Sequence, residues 1–170
     1  GSVAAADARR PLYLGVDVGG TNTKIGLIDD AGQVLGKASI PTHADQQPDP
    51  TMVRVRQATD ELLSDLGVPF AEIAAVGLGT PGTMDIPSGL MLDPPNLPSW
   101  HRYPVRDRLS AAMGRRVWFA NDANAAAFGE KWIGSGRKFS SIVFLTLGTG
   151  VGGGIIIGDL SIDGENSCGS

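Results

Sequence analysis

Two acid-bearing motifs in this chain carry the residue types that phosphate binding or proton transfer needs. The first is Asp17-Val18-Gly19-Gly20-Thr21. Glycines have no Cβ, so their backbone N–H groups can approach a ligand closely. Successive N–H groups and a threonine hydroxyl make a concavity for an anion. The Asp17 carboxylate would repel a phosphate directly, so this reading calls for a bridging cation. Mg²⁺ carrying several waters suits that place. The alternative is a glycine hairpin whose Asp and Thr satisfy local backbone groups. The second motif is Asn121-Asp122, at the head of an alanine-rich stretch. Asn and Asp are preferred helix caps. The same placement holds a carboxylate ionised through the helix dipole and free N–H groups. An ionised, fixed carboxylate can accept the proton of an attacking hydroxyl. Residue types alone leave cap and base both open.

A further glycine cluster, Gly148-Thr149-Gly150-Val151-Gly152-Gly153-Gly154, formally contains G-x-G-x-x-G. A dinucleotide site needs that pattern to open a helix. Here Ile155-Ile156-Ile157 follows, which is strand material. A G-x-x-x-x-G-K-[ST] loop is absent from the sequence. The expectation is a second hairpin tip, so that two tips grip one polyphosphate from both sides. Gly77 to Gly82 is a third glycine turn, able to present N–H groups to a polar ligand or to be a turn and nothing more. Pro95-Asn96-Leu97 with Trp100 reads as a sugar-facing loop, because an amide both donates to and accepts from hydroxyls, or as an ordinary loop with a packed Trp. His43 and His101 lack a spaced partner and receive no ligand role. Cys168 is structural or incidental.

The elements that must position these groups follow from the apolar pattern. Residues 12–18, 24–28 and 33–40 read as three strands joined by tight turns, an antiparallel meander. A helix comes next, capped by Asp49, with Pro50 in its first turn, Gly67 at its end and a stripe of Val55, Leu62, Leu63 and Leu66. Then come a strand at 73–78, a structured loop with room for a small hairpin at 79–100, a helix at 105–113, a strand at 116–120 and a helix at 122–132. Gly134-Ser135-Gly136 reads as a linker, and 141–147 and 154–157 as strands. The fold class is therefore α/β. Residues 1–11 are expected as a disordered tail or tag remnant. Residues 12–135 are expected to form one α/β domain, and 136–170 to begin a second.

Composition narrows the class of function. The 170 residues are 42% hydrophobic with a formal charge of −4, a globular balance without the basic surplus of a nucleic-acid binder. The longest apolar runs, such as 142–147, are far short of the ~20 residues that cross a bilayer. One cysteine excludes an intrachain disulfide and argues against a zinc cluster within these residues. A secretory leader is not visible, so the expected location is cytoplasmic. Glycine is the anomaly, with 24 residues, about twice the average usage of ~7%.

Five motifs in order, GVDVGGTNTK (15–24), VGLGTPG (76–82), PNLPSW (95–100), ANDANAAAFGE (120–130) and LTLGTGVGGG (145–154), resemble the first half of a ROK-family sugar kinase of the bacterial glucokinase branch. That resemblance implies the actin-like ATPase (ribonuclease H-like) fold, a mixed sheet with flanking helices, followed here by the first hairpin of a second domain. It implies Asp122 as catalytic base. Asp17, Gly19, Gly20, Thr21 and Lys24 become the first phosphate site, with Asp17 near Mg²⁺ through water. Gly148, Thr149 and Gly150 become the second. Asn121, Asp122, Asn96 and the Gly82 backbone become sugar contacts. The implied reaction is transfer of the ATP γ-phosphoryl to a hexose, glucose to glucose 6-phosphate, by a homo-oligomer that binds neither nucleic acid nor membrane. The family's Glu-x-Gly-His sugar motif and structural zinc would lie past Ser170. Residues 1–170 are thus expected to be the first half of a longer enzyme and inactive alone. The alternative is a sugar-responsive ROK transcriptional repressor, which would need a helix-turn-helix module ahead of Leu12, where only eleven residues stand.

Overall fold

The computed structural model describes residues 2–147 and 151–162. Strands β1 (Leu12–Val18), β2 (Asn22–Asp29) and β3 (Val34–Pro41) form the expected antiparallel meander. Side chains alternate across a strand, so Leu12, Leu14, Val16 and Val18 all point into the core, together with Ile25 and Leu27. Asp29 closes the second turn: its carboxylate accepts the N–H groups of Ala31 and Gln33, and Gly32 takes the left-handed conformation the turn requires.

Parallel strands need crossover connections, and the two helices supply them. Helix α1 (Asp49–Asp65) leads to β4 (Ile73–Thr80), parallel to β1. A small hairpin, β5 (Thr83–Asp85) and β6 (Leu90–Asp93), and helix α2 (Val105–Met113) lead to β7 (Val117–Asn121), parallel to β4. The sheet order is β3-β2-β1-β4-β7. Both helices join the core with the inward side chains of β1. The opposite sheet face carries Tyr13, Gly15 and Asp17. Register places Gly26, Gly15 and Gly77 side by side there, with Trp118 beyond them, 56% exposed.

Helix α3 (Asp122–Trp132) follows β7 directly, and β8 (Ser141–Leu147), β9 (Val151–Ile157) and β10 (Leu160–Ser161) form a separate antiparallel sheet. Ile155 to Ile157 are strand, so the Gly148 run opens no helix and the dinucleotide reading falls. Among the described residues, no helix is long and apolar enough to cross a membrane.

Three local expectations change. Asp49 is not the cap of α1: Pro48 holds that position without a side-chain bond, and the Asp49 carboxylate accepts the Tyr103 hydroxyl at 2.6 Å. The first residues are not a loose tail. Val3 N–H donates to Val34 O, Arg9 N–H to Asp29 and Arg10 to Glu72, while Val3, Ala5 and Ala8 pack on the core. The Gly134 to Gly136 stretch is packed, since a Cβ at Gly136 would meet Ile142 at 3.0 Å, and Glu130 accepts from Ser135 N–H and Oγ.

Candidate active site

Three parallel strands end side by side, with Asp17 beside Gly79, Gly79 beside Ala120 and Thr80 beside Asn121. The site grows from that alignment. A Cβ on Gly79 would lie 3.6 Å from Asp122 Cα and 3.9 Å from Asp17 Oδ1. Gly79 thus lies between the two acid-bearing residues, and an added Cβ would be in ordinary contact with both. Lys24 stands opposite Asp17 across the β1–β2 pair. Asp17, Lys24, Gly79, Asp122 and Thr146 of β8 all line one open cleft of about 1420 Å³.

Burial raises the Asp122 carboxyl above its ordinary range, and the nearby Asp17 charge raises it further. The Ala123 N–H, donating to Oδ1 at 2.7 Å, only partly opposes this. Burial therefore outweighs the N–H bonds at the helix start, and the net effect disfavours the ionised form. Burial also raises Asp17, against a lowering influence from Lys24. A general base gains from a pKa closer to the working pH.

The cap is Asn121, with Asp122 the first helical residue. The Asn121 Oδ1 accepts from Ala123 and Asn124 N–H at 2.9 and 3.3 Å, and its Nδ2 donates to Gly82 O at 3.2 Å. Asn121 is 8% exposed. It therefore ties α3 to the Gly82 turn, with one amide hydrogen left over. Gly82 has φ +80°, and a Cβ there would lie 2.9 Å from Asp93 O and from Pro94 Cα.

In the first hairpin, Gly19 N–H donates to Asn22 O at 3.0 Å and so closes the turn rather than facing an anion. The N–H groups of Gly20 and Thr21 have no partner among the described residues. A Cβ on Gly20 would lie 2.8 Å from Asn96 Cβ. The hairpin and the Asn96 loop thus touch, a contact no spacing in the sequence announces. Trp100 in that loop is fully buried, edge-on to Tyr103 at 5.5 Å, as an ordinary loop with a packed Trp would have it. Gly148, Thr149 and Gly150 lie outside the described residues. Gly152 and Gly154 do not face the cleft as anion donors. A Cβ at Gly154 would come 2.5 Å from Ala127 Cβ, whereas one at Gly152 would first meet Thr146 Oγ1 at 2.7 Å. Gly154 lets α3 sit on β9.

Among the described residues no group of three or more His, Cys, Asp or Glu side chains could hold a metal. The donor set fits a hard cation bound loosely. Asp17 offers a carboxylate with no hydrogen-bond donor among the described residues, facing a second acid across Gly79. Mg²⁺ is commonly held by one or two carboxylates, waters and substrate phosphates.

The model described as "ROK family" matches residues 13–169. The chain belongs to the ROK family. As a ROK protein it is 36% identical over 157 residues to a glucokinase of Thermotoga maritima, covering 92% of this chain and 48% of that protein. Its structure matches a ROK hexokinase from Thermus thermophilus with a TM-score of 0.81 at 34% identity, over 93% of this chain and 51% of that one. It matches a ROK family glucokinase from Streptomyces griseus, solved with glucose and AMPPNP, with a TM-score of 0.80 at 33% identity, over 92% and 47%. The chain spans about half the length of the relatives it matches. The fold is that of the ROK sugar kinases, an actin-like α/β arrangement with a mixed sheet.

Proposed function

We propose that the whole protein is an ATP-dependent hexose kinase, with glucose the first candidate acceptor. The observation that carries this reading is the meeting of Asp122 and Asp17 across Gly79, at the ends of three parallel strands and in an open cleft. Ligands of open α/β sheets bind outside the carboxyl ends of the strands.

Asp122 would accept the proton of a sugar hydroxyl as that oxygen attacks the terminal phosphorus. Its raised pKa matches it to this task. The free N–H groups of Gly20 and Thr21 would receive phosphate oxygens, and Lys24, opposite Asp17, would add positive charge. Asp17 would hold Mg²⁺ through water, and the ion would offset phosphate charge. Asn96, against the hairpin, and Asn121 with the Gly82 turn would orient the sugar. Gly148, Thr149 and Gly150 would supply the second phosphate loop. Most of the acceleration in phosphoryl transfer comes from positioning and charge stabilisation.

The test is ADP release by the whole protein across a panel of hexoses, N-acetylated hexoses included. The reading requires sugar-dependent ADP release. Nucleotide turnover that no sugar accelerates would contradict it.

A further inference from the structure

Behind the Gly19 to Asn22 hairpin lies a chain of buried hydroxyls. Strand pairing between β2 and β3 ends at Asn22 and Pro41. One link continues past it, from Thr42 N–H to Thr21 O at 2.9 Å. Thr42 is gripped on every polar atom. Its hydroxyl pairs with the Thr23 hydroxyl at 2.9 Å, and its carbonyl accepts the Thr51 hydroxyl at 2.9 Å. Arg54 completes the set: its Nη2 donates to Thr51 Oγ1 at 2.8 Å and faces the carbonyls of Pro41 and Thr42, each at 3.4 Å. Thr23, Thr42 and Thr51 are all essentially inaccessible to solvent.

Two details set this cluster apart from ordinary core filling. The Arg54 Nε is buried without a partner, and no carboxylate among the described residues pairs with its guanidinium. A cation so placed spends its charge on carbonyls and a hydroxyl. The Pro41–Thr42 peptide also receives from Arg54 at its oxygen and donates to Thr21 through its N–H. Bonds chained through one peptide polarise each other. The chain leads from α1 to the carbonyl of the hairpin residue whose N–H is free.

We propose that Thr42, Thr51 and Arg54 are positioning residues that hold the Gly19 to Asn22 hairpin in its anion-ready shape. The proposal rests on the phosphate reading of that hairpin for its purpose, but the holding itself can be measured without a kinase assay.

The experiment uses the ¹⁵N-labelled whole protein, wild type against Thr51→Val and Arg54→Met. Thr59→Val is the control: Thr59 is equally buried on α1 and donates to Val55 O, away from the hairpin. Amide hydrogen exchange is read at Thr42 and Gly19, and at Leu14 and Val76 in the middle of the sheet. Loss of one such bond should speed exchange at Thr42 and Gly19 about tenfold in Thr51→Val and Arg54→Met. Leu14 and Val76 should be unmoved, and Thr59→Val should leave Thr42 and Gly19 as they were. Unchanged exchange at those two amides, or equal acceleration through the whole sheet, would overturn the proposal. Titration with inorganic tripolyphosphate and Mg²⁺ separates the two ideas. Shifts at Gly20 and Thr21 that weaken in the variants support both, whereas a wild type without such shifts counts against the phosphate reading while the exchange data still decide the holding.

Discussion

In the proposed reaction Asp122 carries the chemistry, and its surroundings set its charge. Its residue type and its place after a strand were legible in the sequence. Its raised pKa was not, because that comes from burial and from Asp17, a strand end 105 positions away in the chain. A carboxyl whose folded pKa is raised makes the fold less stable when ionised. Its penalty grows as pH rises through the window above the ordinary carboxyl value and vanishes on acidification. Asp122→Asn should therefore melt higher than wild type at pH 7, with the gap closing as pH falls into that window. A variant that melts lower at pH 7 would contradict this. Asn121 behaves differently, because its amide caps α3 and holds Gly82. Asn121→Ala should cost about 1 kcal/mol in urea unfolding, as for other lost caps. No measurable cost would remove the cap.

At the scale of elements, the strands and helices were read from periodicity almost throughout, and the errors lie where tertiary contacts override a local signal. Asp49 looks like a cap, but Tyr103 claims its carboxylate. The first residues look polar and loose, but strand β3 and Asp29 hold them. Asp29 itself is lowered below the usual carboxylate range, first by the Arg9 N–H and then by the Gln33 and Ala31 N–H groups. Its support is present above the ordinary carboxyl value and lost as pH falls through its lowered one. The glycine run is the instructive case. Read as a phosphate loop, its second half is packing, because small residues on β9 meet small residues on α3. Gly154→Ala should destabilise the protein by about 1–3 kcal/mol through overpacking. Gly129, inside α3 with nothing within 4 Å of a Cβ, should respond the other way. There Gly129→Ala should stabilise by about 0.5–1 kcal/mol. Denaturant midpoints for the pair check both signs, and equal shifts would refute the packing account of β9.

For the whole molecule, the mixed sheet and its topology bring together residues that no sequence window contains. β1, β4 and β7 are separated in the chain by two crossovers, yet their ends place Asp17, Gly79 and Asp122 within one cleft. Family membership was legible in five ordered motifs. The contact of Gly20 with Asn96 was not, since it depends on how the loop after β6 folds back over the hairpin. In the proposed reaction Asp122 is the base of a hexose kinase. The most direct measurement compares wild type and Asp122→Asn in the whole protein, reading sugar-dependent ADP release beside hexose affinity. Turnover should fall by about 10²–10⁴-fold, the usual contribution of a positioned acid or base, with hexose affinity held. Near-normal turnover in Asp122→Asn would contradict the account.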